Sequence, residues 1–136
     1  MDVVLVLGRV LLGALPIVSG LTIHQSKDGV EAARAAGGPA PELTVPLSGA
    51  ALAAGGISIA LGLWADLGAL VLIFTLLPIT FFMHAYWKYD GMDRITQQVM
   101  FFKNFAMIGG FLIVFWAYNQ GQDLPGSLTD ALFDRW

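Results

Sequence analysis

The chain has 136 residues, enough for one domain, and no cysteine, which excludes structural disulfides, thiol redox chemistry and cysteine-ligated metals. Hydrophobic residues make up 57% and charged residues 12%, about half the charged share of an ordinary soluble domain. The net charge of −3 supplies no basic surface for nucleic acid.

Four windows are nearly free of charge: residues 3–23, 47–64, 67–87 and 99–118. A helix rises about 1.5 Å per residue, so about 20 residues cross a hydrocarbon layer of about 30 Å, and each window is long enough to span. A soluble bundle would need a polar face on every helix, and Leu67 to Phe82 has none. The expected fold is an all-α membrane protein: a single domain over residues 1–136, a four-transmembrane-helix bundle running up-down-up-down.

The first window carries Arg9 and lacks a basic region before it, so it reads as a retained span and not as a secretory signal. Arg9, some seven residues in, is expected to snorkel or to pair with Asp2 or Asp66. The loop from His24 to Pro46 contains a short helix in which Asp28 can cap, Glu31 can pair with Arg34 at i,i+3, and Gly37-Gly38 stops the run. In the second window Ala50, Ala54, Ser58 and Gly62 recur every four residues, a smooth stripe on which a neighbouring backbone is expected to rest. Ala65-Asp66 makes a tight turn, with Asp66 placed to cap the third helix. Pro16 and Pro78 lie within spans and are expected to kink them, Pro78 freeing the carbonyl of Phe74.

The segment from 83 to 104, MHAYWKYDGMDRITQQVMFFKN, joins the third and fourth windows. His84 and Lys103 lie just inside apolar runs, at similar depth on one membrane side. Ionisable groups within a span are costly and face one another, water or a ligand. His84 shares its face with Trp87 and Lys88, and Lys103 shares its face with Met100, Asn104 and Met107. A structural reading competes: Lys103 can snorkel, and Tyr86, Trp87 and Tyr89 fit an interfacial aromatic belt. His24 and His84 could ligate one haem from two helices, but His24 sits at the boundary of its span. Asp90 and Asp93 lack the alternating oxygen ligands of a calcium loop, so no metal site is expected. Gly109-Gly110 offers a second place for close packing. The tail, SLTDALFDRW, is expected to form a C-terminal interfacial helix opened by Ser127 and Asp130, with Leu128, Leu132, Phe133 and Trp136 on its apolar face.

Antiparallel threading puts Lys27, Arg34, Lys88, Arg94 and Lys103 at the loop end, and Arg9 and Arg135 at the end bearing both termini. Counting lysine and arginine, the loops are expected in the cytoplasm and both termini outside the cell membrane.

With these residues in hand, the chain resembles the DoxX family of small four-helix membrane proteins. FFMHAYW followed by QQVMFFKNFAMIGGFLIV resembles the family's third- and fourth-helix patterns, and GRVLLGALPIVSG and GGISIALGLW resemble its first and second spans. Two departures stand out: Thr22-Ile23-His24 where members often carry a lysine, and Ala50 to Ala54 where they often carry a glutamate. The resemblance implies a fold more firmly than a reaction. It implies a membrane subunit or anchor of a redox complex; the residues themselves suggest that His84, Trp87, Lys103 and Asn104 form a pocket for a quinone, the candidate cofactor, or for a lipid head group. No self-contained catalytic constellation is present, so redox chemistry would need a partner subunit or bound cofactor. The alternative is a non-catalytic scaffold that packs, in the lipid bilayer, against other membrane subunits or copies of itself.

Overall fold

The computed structural model describes residues 2–120 and 124–133. Five α-helices follow in order: α1 (Asp2–Leu21), α2 (Lys27–Ala35), α3 (Pro41–Leu61), α4 (Ala65–Met83) and α5 (Gly91–Tyr118). Short 3-10 turns, Ile23–Gln25 and Tyr86–Lys88, close α1 and α4 at the loop end. There is no strand among the described residues. All four helices other than α2 are long and apolar enough to cross a membrane. The chain is an all-α membrane protein, as its composition requires.

Two spans begin earlier than the charge-free windows. Pro41 starts α3 from the first turn, where a missing N–H costs nothing, and Pro46 is carried inside the helix. Gly91, with φ +57, follows Asp90 into α5, so most of the expected loop from Lys88 to Gln98 is helical. At 28 residues α5 is about 42 Å long, longer than the hydrocarbon layer, and its first turns project beyond it. Hydropathy marks where lipid begins, whereas capping and backbone propensity mark where the helix begins.

α1 packs on α3, α3 on α4, and α4 on α5. In their most apolar windows α1 and α5 bury only 22%, against 39% for α3, so α3 and α4 are central and the outer helices turn broad faces to lipid. The core is Leu52, Ile59, Leu72, Leu76, Ile108 and Phe111 with neighbours from α3, α4 and α5. Along α5 the buried stripe repeats every seven residues through Asn104, Phe111 and Tyr118.

The α1–α3 contact is made by glycine. Gly13 and Gly20 on α1 are seven residues apart, as are Gly49 and Gly56 on α3. Antiparallel packing sets Gly13 against Gly56 and Gly20 against Gly49. A Cβ on Gly13 would lie 2.5 Å from the Gly56 carbonyl oxygen, and one on Gly49 would lie 2.8 Å from that of Gly20. On the opposite side of α3, Gly55 meets Gly68 of α4, each 3.1 Å from the other's carbonyl by the same measure. In a bilayer, where apolar side chains gain nothing by leaving lipid, such close backbone contact is what holds helices together.

This corrects the expected stripe. Ala50 and Ala54 are exposed on the outer side of α3, and Ser58 turns its hydroxyl back to the Leu63 carbonyl at 2.6 Å. The close approaches to α1 and α4 are made at Gly49, Gly56 and Gly55, and of the expected stripe only its end takes part, Ser58 against Gly68 and Gly62 against Arg9 and Ser127. Gly110 packs on Leu12 of α1, while nothing approaches Gly109 within 4 Å.

The first loop follows expectation with one change. Ser26, not Asp28, caps α2, accepting the Gly29 N–H at 3.0 Å. Arg34 pairs with Glu31 and also with Glu42, tying α2 to the start of α3 at an exposed site. Gly37, with φ +81, ends the turn after α2.

The tail does not form the expected interfacial helix. From Leu124 to Phe133 the chain runs in turns and bends across the terminal end of the bundle, and residues 134–136 lie outside the described ones. Its backbone donors are drawn into tertiary bonds: the Leu128 and Thr129 N–H groups both reach the Gly62 carbonyl, at 3.1 and 3.2 Å. A helix opened by Ser127 would leave those two first-turn groups free, but it would need the Phe133 N–H for the Thr129 carbonyl, and that donor goes to Asp66 Oδ2 at 2.8 Å.

Candidate functional site

His84 ends α4. Its backbone N–H still bonds to the Thr80 carbonyl at 3.1 Å, and the chain then leaves the helix for the 3-10 turn. The ring is half-buried, and Nδ1 lies 2.8 Å from Gln97 Oε1 on α5. An amide oxygen only accepts, so this geometry puts the proton on Nδ1. A neutral ring then has its Nε2 lone pair free to accept a proton or a hydrogen bond.

Two turns further along the same stripe of α5, Asn104 is buried and donates to Thr80 Oγ1 at 3.0 Å. The Thr80 hydroxyl donates in turn to the Leu76 carbonyl at 2.7 Å, so both polar groups are paired inside an apolar interface. Asn104 thus makes a bond between α4 and α5 with one of its two amide N–H donors.

Lys103 lies next to Asn104 but is turned about 100° around the helix, onto the face shared with Gly110. Gly110 packs on Leu12, so this face looks toward α1. Lys103 is half-buried as a residue, and its ammonium donates to the Met100 thioether, with Nζ–Sδ 3.4 Å. A thioether is a weak acceptor. Lys103 makes no ion pair among the described residues.

Trp87 sits elsewhere. It is exposed and belongs to an edge-on aromatic cluster with Tyr86, Phe101, Phe81 and Phe105 on the outer side of α4 and α5. The Trp87 and Phe101 centroids are 5.7 Å apart. Of the four expected site residues, His84 and Asn104 share the α4–α5 interface, Lys103 borders it, and Trp87 stands outside it. Gln97 and Thr80 were not expected as partners. Gln97 could have been found, since it precedes Asn104 by seven residues on the buried stripe; Thr80 could not, because its pairing depends on the rotation of α4 against α5.

Other polar groups gather away from these. His24 Nδ1 is 3.0 Å from the Ser19 carbonyl oxygen at the end of α1, and His24 helps line an open groove of about 380 Å3 with Gln25, Lys27, Arg34, Glu42 and Pro46. Among the described residues no cluster of three or more metal-ligating side chains occurs.

At the terminal end Arg9 is 2% exposed. Its guanidinium donates to the Tyr118 hydroxyl, to Ser127 Oγ at 2.6 Å, and to the carbonyls of Gly126 and Pro125 at 2.7 and 3.3 Å. It neither snorkels nor pairs with Asp66. Asp66 is fully buried at the second position of α4, makes no capping bond, and accepts the Phe133 N–H at 2.8 Å. Trp64, with φ +46, stands at the cap instead.

Residues 4–85 match the family model described as DoxX, which takes in α1 to α4 and reaches His84. The match ends before α5, so Lys103 and Asn104 lie beyond it. No curated protein and no solved structure matches the chain.

Proposed function

The chain belongs to the DoxX family, and on that premise we propose that it is a membrane subunit or anchor of a quinone-linked redox complex. The observation that carries this reading is Lys103: a half-buried lysine within a span, whose ammonium donates to a thioether. A cation of this kind calls for an acceptor, and a quinone carbonyl supplies one from the lipid phase. His84 complements it. With Nδ1 held by Gln97, Nε2 is the acceptor that would receive the hydroxyl proton of a quinol as it is oxidised. Asn104 and Thr80 fix α5 against α4 and so hold the two groups in register. The exposed aromatics, Trp87 among them, offer edges and faces against which a quinone ring or its isoprenoid chain can rest. Electrons would pass to or from a partner subunit or a bound cofactor. By the lysine and arginine bias, the loop end faces the cytoplasm.

The exposed Ala50 and Ala54 favour a second reading, a scaffold on which another membrane helix rests at the outer face of α3. The absorption spectrum and solvent extract of the purified protein separate the two. Quinone in stoichiometric amount, lost in Lys103→Met, supports the first. A protein with no bound chromophore, still co-purifying with membrane partners, supports the second.

A further inference from the structure

Arg9 and Asp66 are opposite charges buried at the same end of the bundle, yet they make no ion pair with each other and each is hydrogen-bonded to the tail. Burying a charge without its counter-charge is expensive unless hydrogen bonds replace the lost water. Apart from the Tyr118 hydroxyl of α5, the replacement comes from one segment. Leu124 to Phe133 gives Arg9 two carbonyls and the Ser127 hydroxyl, and gives Asp66 a backbone N–H. The same segment completes the α3–α4 turn, where helix ends leave backbone groups unpaired. Leu128 and Thr129 donate to the Gly62 carbonyl, and the Trp64 N–H donates to Thr129 Oγ1 at 2.8 Å. Tyr118 and Ser127 oxygens lie 2.5 Å apart, and the Phe133 ring is tilted against that of Phe115, with centroids 6.5 Å apart. The segment therefore touches the terminal ends of α1, α3, α4 and α5 at once.

We propose that residues 124–133 are a releasable strap, which closes the terminal end of the bundle over Arg9 and Asp66 and is held there by those two charges. Three features set it apart from an ordinary docked tail. It has no helix or strand of its own, so its order comes from the bundle. Its apolar hold is partial: Leu124 and Ala131 are partly buried against the core and Phe133 meets Phe115, while Leu128 and Leu132 are exposed. Finally, the closed state leaves Arg9 Nε and Asp66 Oδ1 buried and unpartnered, so neither charge is fully satisfied by closure. Lifting the strap would bare a guanidinium, a phenol and a carboxylate to water at the end where Arg9 and Tyr118 join α1 to α5. The strap would thus govern polar access to the seam between the first and last spans.

The test uses the full chain, purified in detergent. Since it has no cysteine, Ala131→Cys and Leu132→Cys each introduce a single thiol, half-buried and exposed respectively. A water-soluble maleimide should react with Ala131→Cys at least about tenfold more slowly than with Leu132→Cys, the usual sign of local closure. Adding Arg9→Gln or Asp66→Ala should bring the two rates within about twofold, while helical circular dichroism is retained. If Arg9→Gln does not fold, Asp66→Ala and Ser127→Ala carry the same expectation. Equal rates in the parent chain would show that there is no closed strap. Protection that survives all the folded charge and hydroxyl variants would show that the charges do not hold it.

Discussion

Gly13 of α1 and Gly56 of α3 lie so close that a Cβ on either would stand 2.5 or 2.7 Å from the other's carbonyl oxygen. Both contacts are with backbone, which cannot rotate away. Gly56→Ala should therefore push α1 off α3 and cost about 1–3 kcal/mol, the usual range for overpacking. Gly109→Ala meets nothing within 4 Å and should be neutral, or stabilising by up to about 1 kcal/mol through helix propensity. Thermal melts of the two variants in one detergent compare them directly, and equal melting temperatures would remove the glycine contact as the basis of this interface.

Leu72 is 0% exposed at the centre of the core, whereas Ala54 points outward from α3. Leu72→Ala should lower stability by about 2 kcal/mol or more through the cavity it leaves. Ala54→Leu adds a side chain to the lipid face and should leave the isolated protein's melting temperature nearly unchanged. If Ala54 seats a partner helix, the same variant should instead weaken co-purification. The reverse order of stabilities would mean that α3 is rotated from the position described.

Asn104 and Thr80 form a buried pair between α5 and α4. Thr80→Val and Asn104→Leu should each destabilise, and the double variant should cost less than the sum of the two, because each single change strands the other group. A coupling of about 0.5–1.5 kcal/mol is expected from a double-mutant cycle in denaturant. Strict additivity would show that the bond contributes nothing.

Lys103→Met should separate function from fold. Removing a poorly paired cation from a span should leave the melting temperature equal or higher. Any bound quinone should be lost, and Lys103→Arg should retain part of it because the donor remains. A fall in stability comparable to that of Leu72→Ala would mark Lys103 as a structural residue.

His84 offers a graded counterpart. Gln97→Leu removes the acceptor that fixes the ring, so the tautomer and orientation are no longer set. The His84 imidazole resonances should broaden or divide between tautomers in nitrogen NMR of labelled protein, with the helices unchanged. A single unaltered tautomer would show that Gln97 does not orient the ring.

The sequence alone determined that this is a four-span helical membrane protein, because charge-free windows of 18 to 21 residues leave backbone polar groups no partner in lipid except a helix. It also marked His84, Lys103, Asn104 and Arg9, since polar groups at membrane depth stand out against an apolar background. It could not determine which partner each would take. Glycine spacing was visible on α1 and α3, but Ala50 and Ala54 were equally small, and only the rotation of α3 between α1 and α4 decided that Gly49, Gly55 and Gly56 make the contacts. The tail has a helical pattern of apolar residues. Its structure was decided by Arg9, Gly62, Trp64 and Asp66, far away in sequence, whose hydrogen bonds at the bundle end are met by the tail, Asp66 taking the Phe133 N–H that a helix would have used. Local periodicity sets what lies in lipid, whereas the pairing of buried polar groups is a property of the packed helices and appears only when they meet.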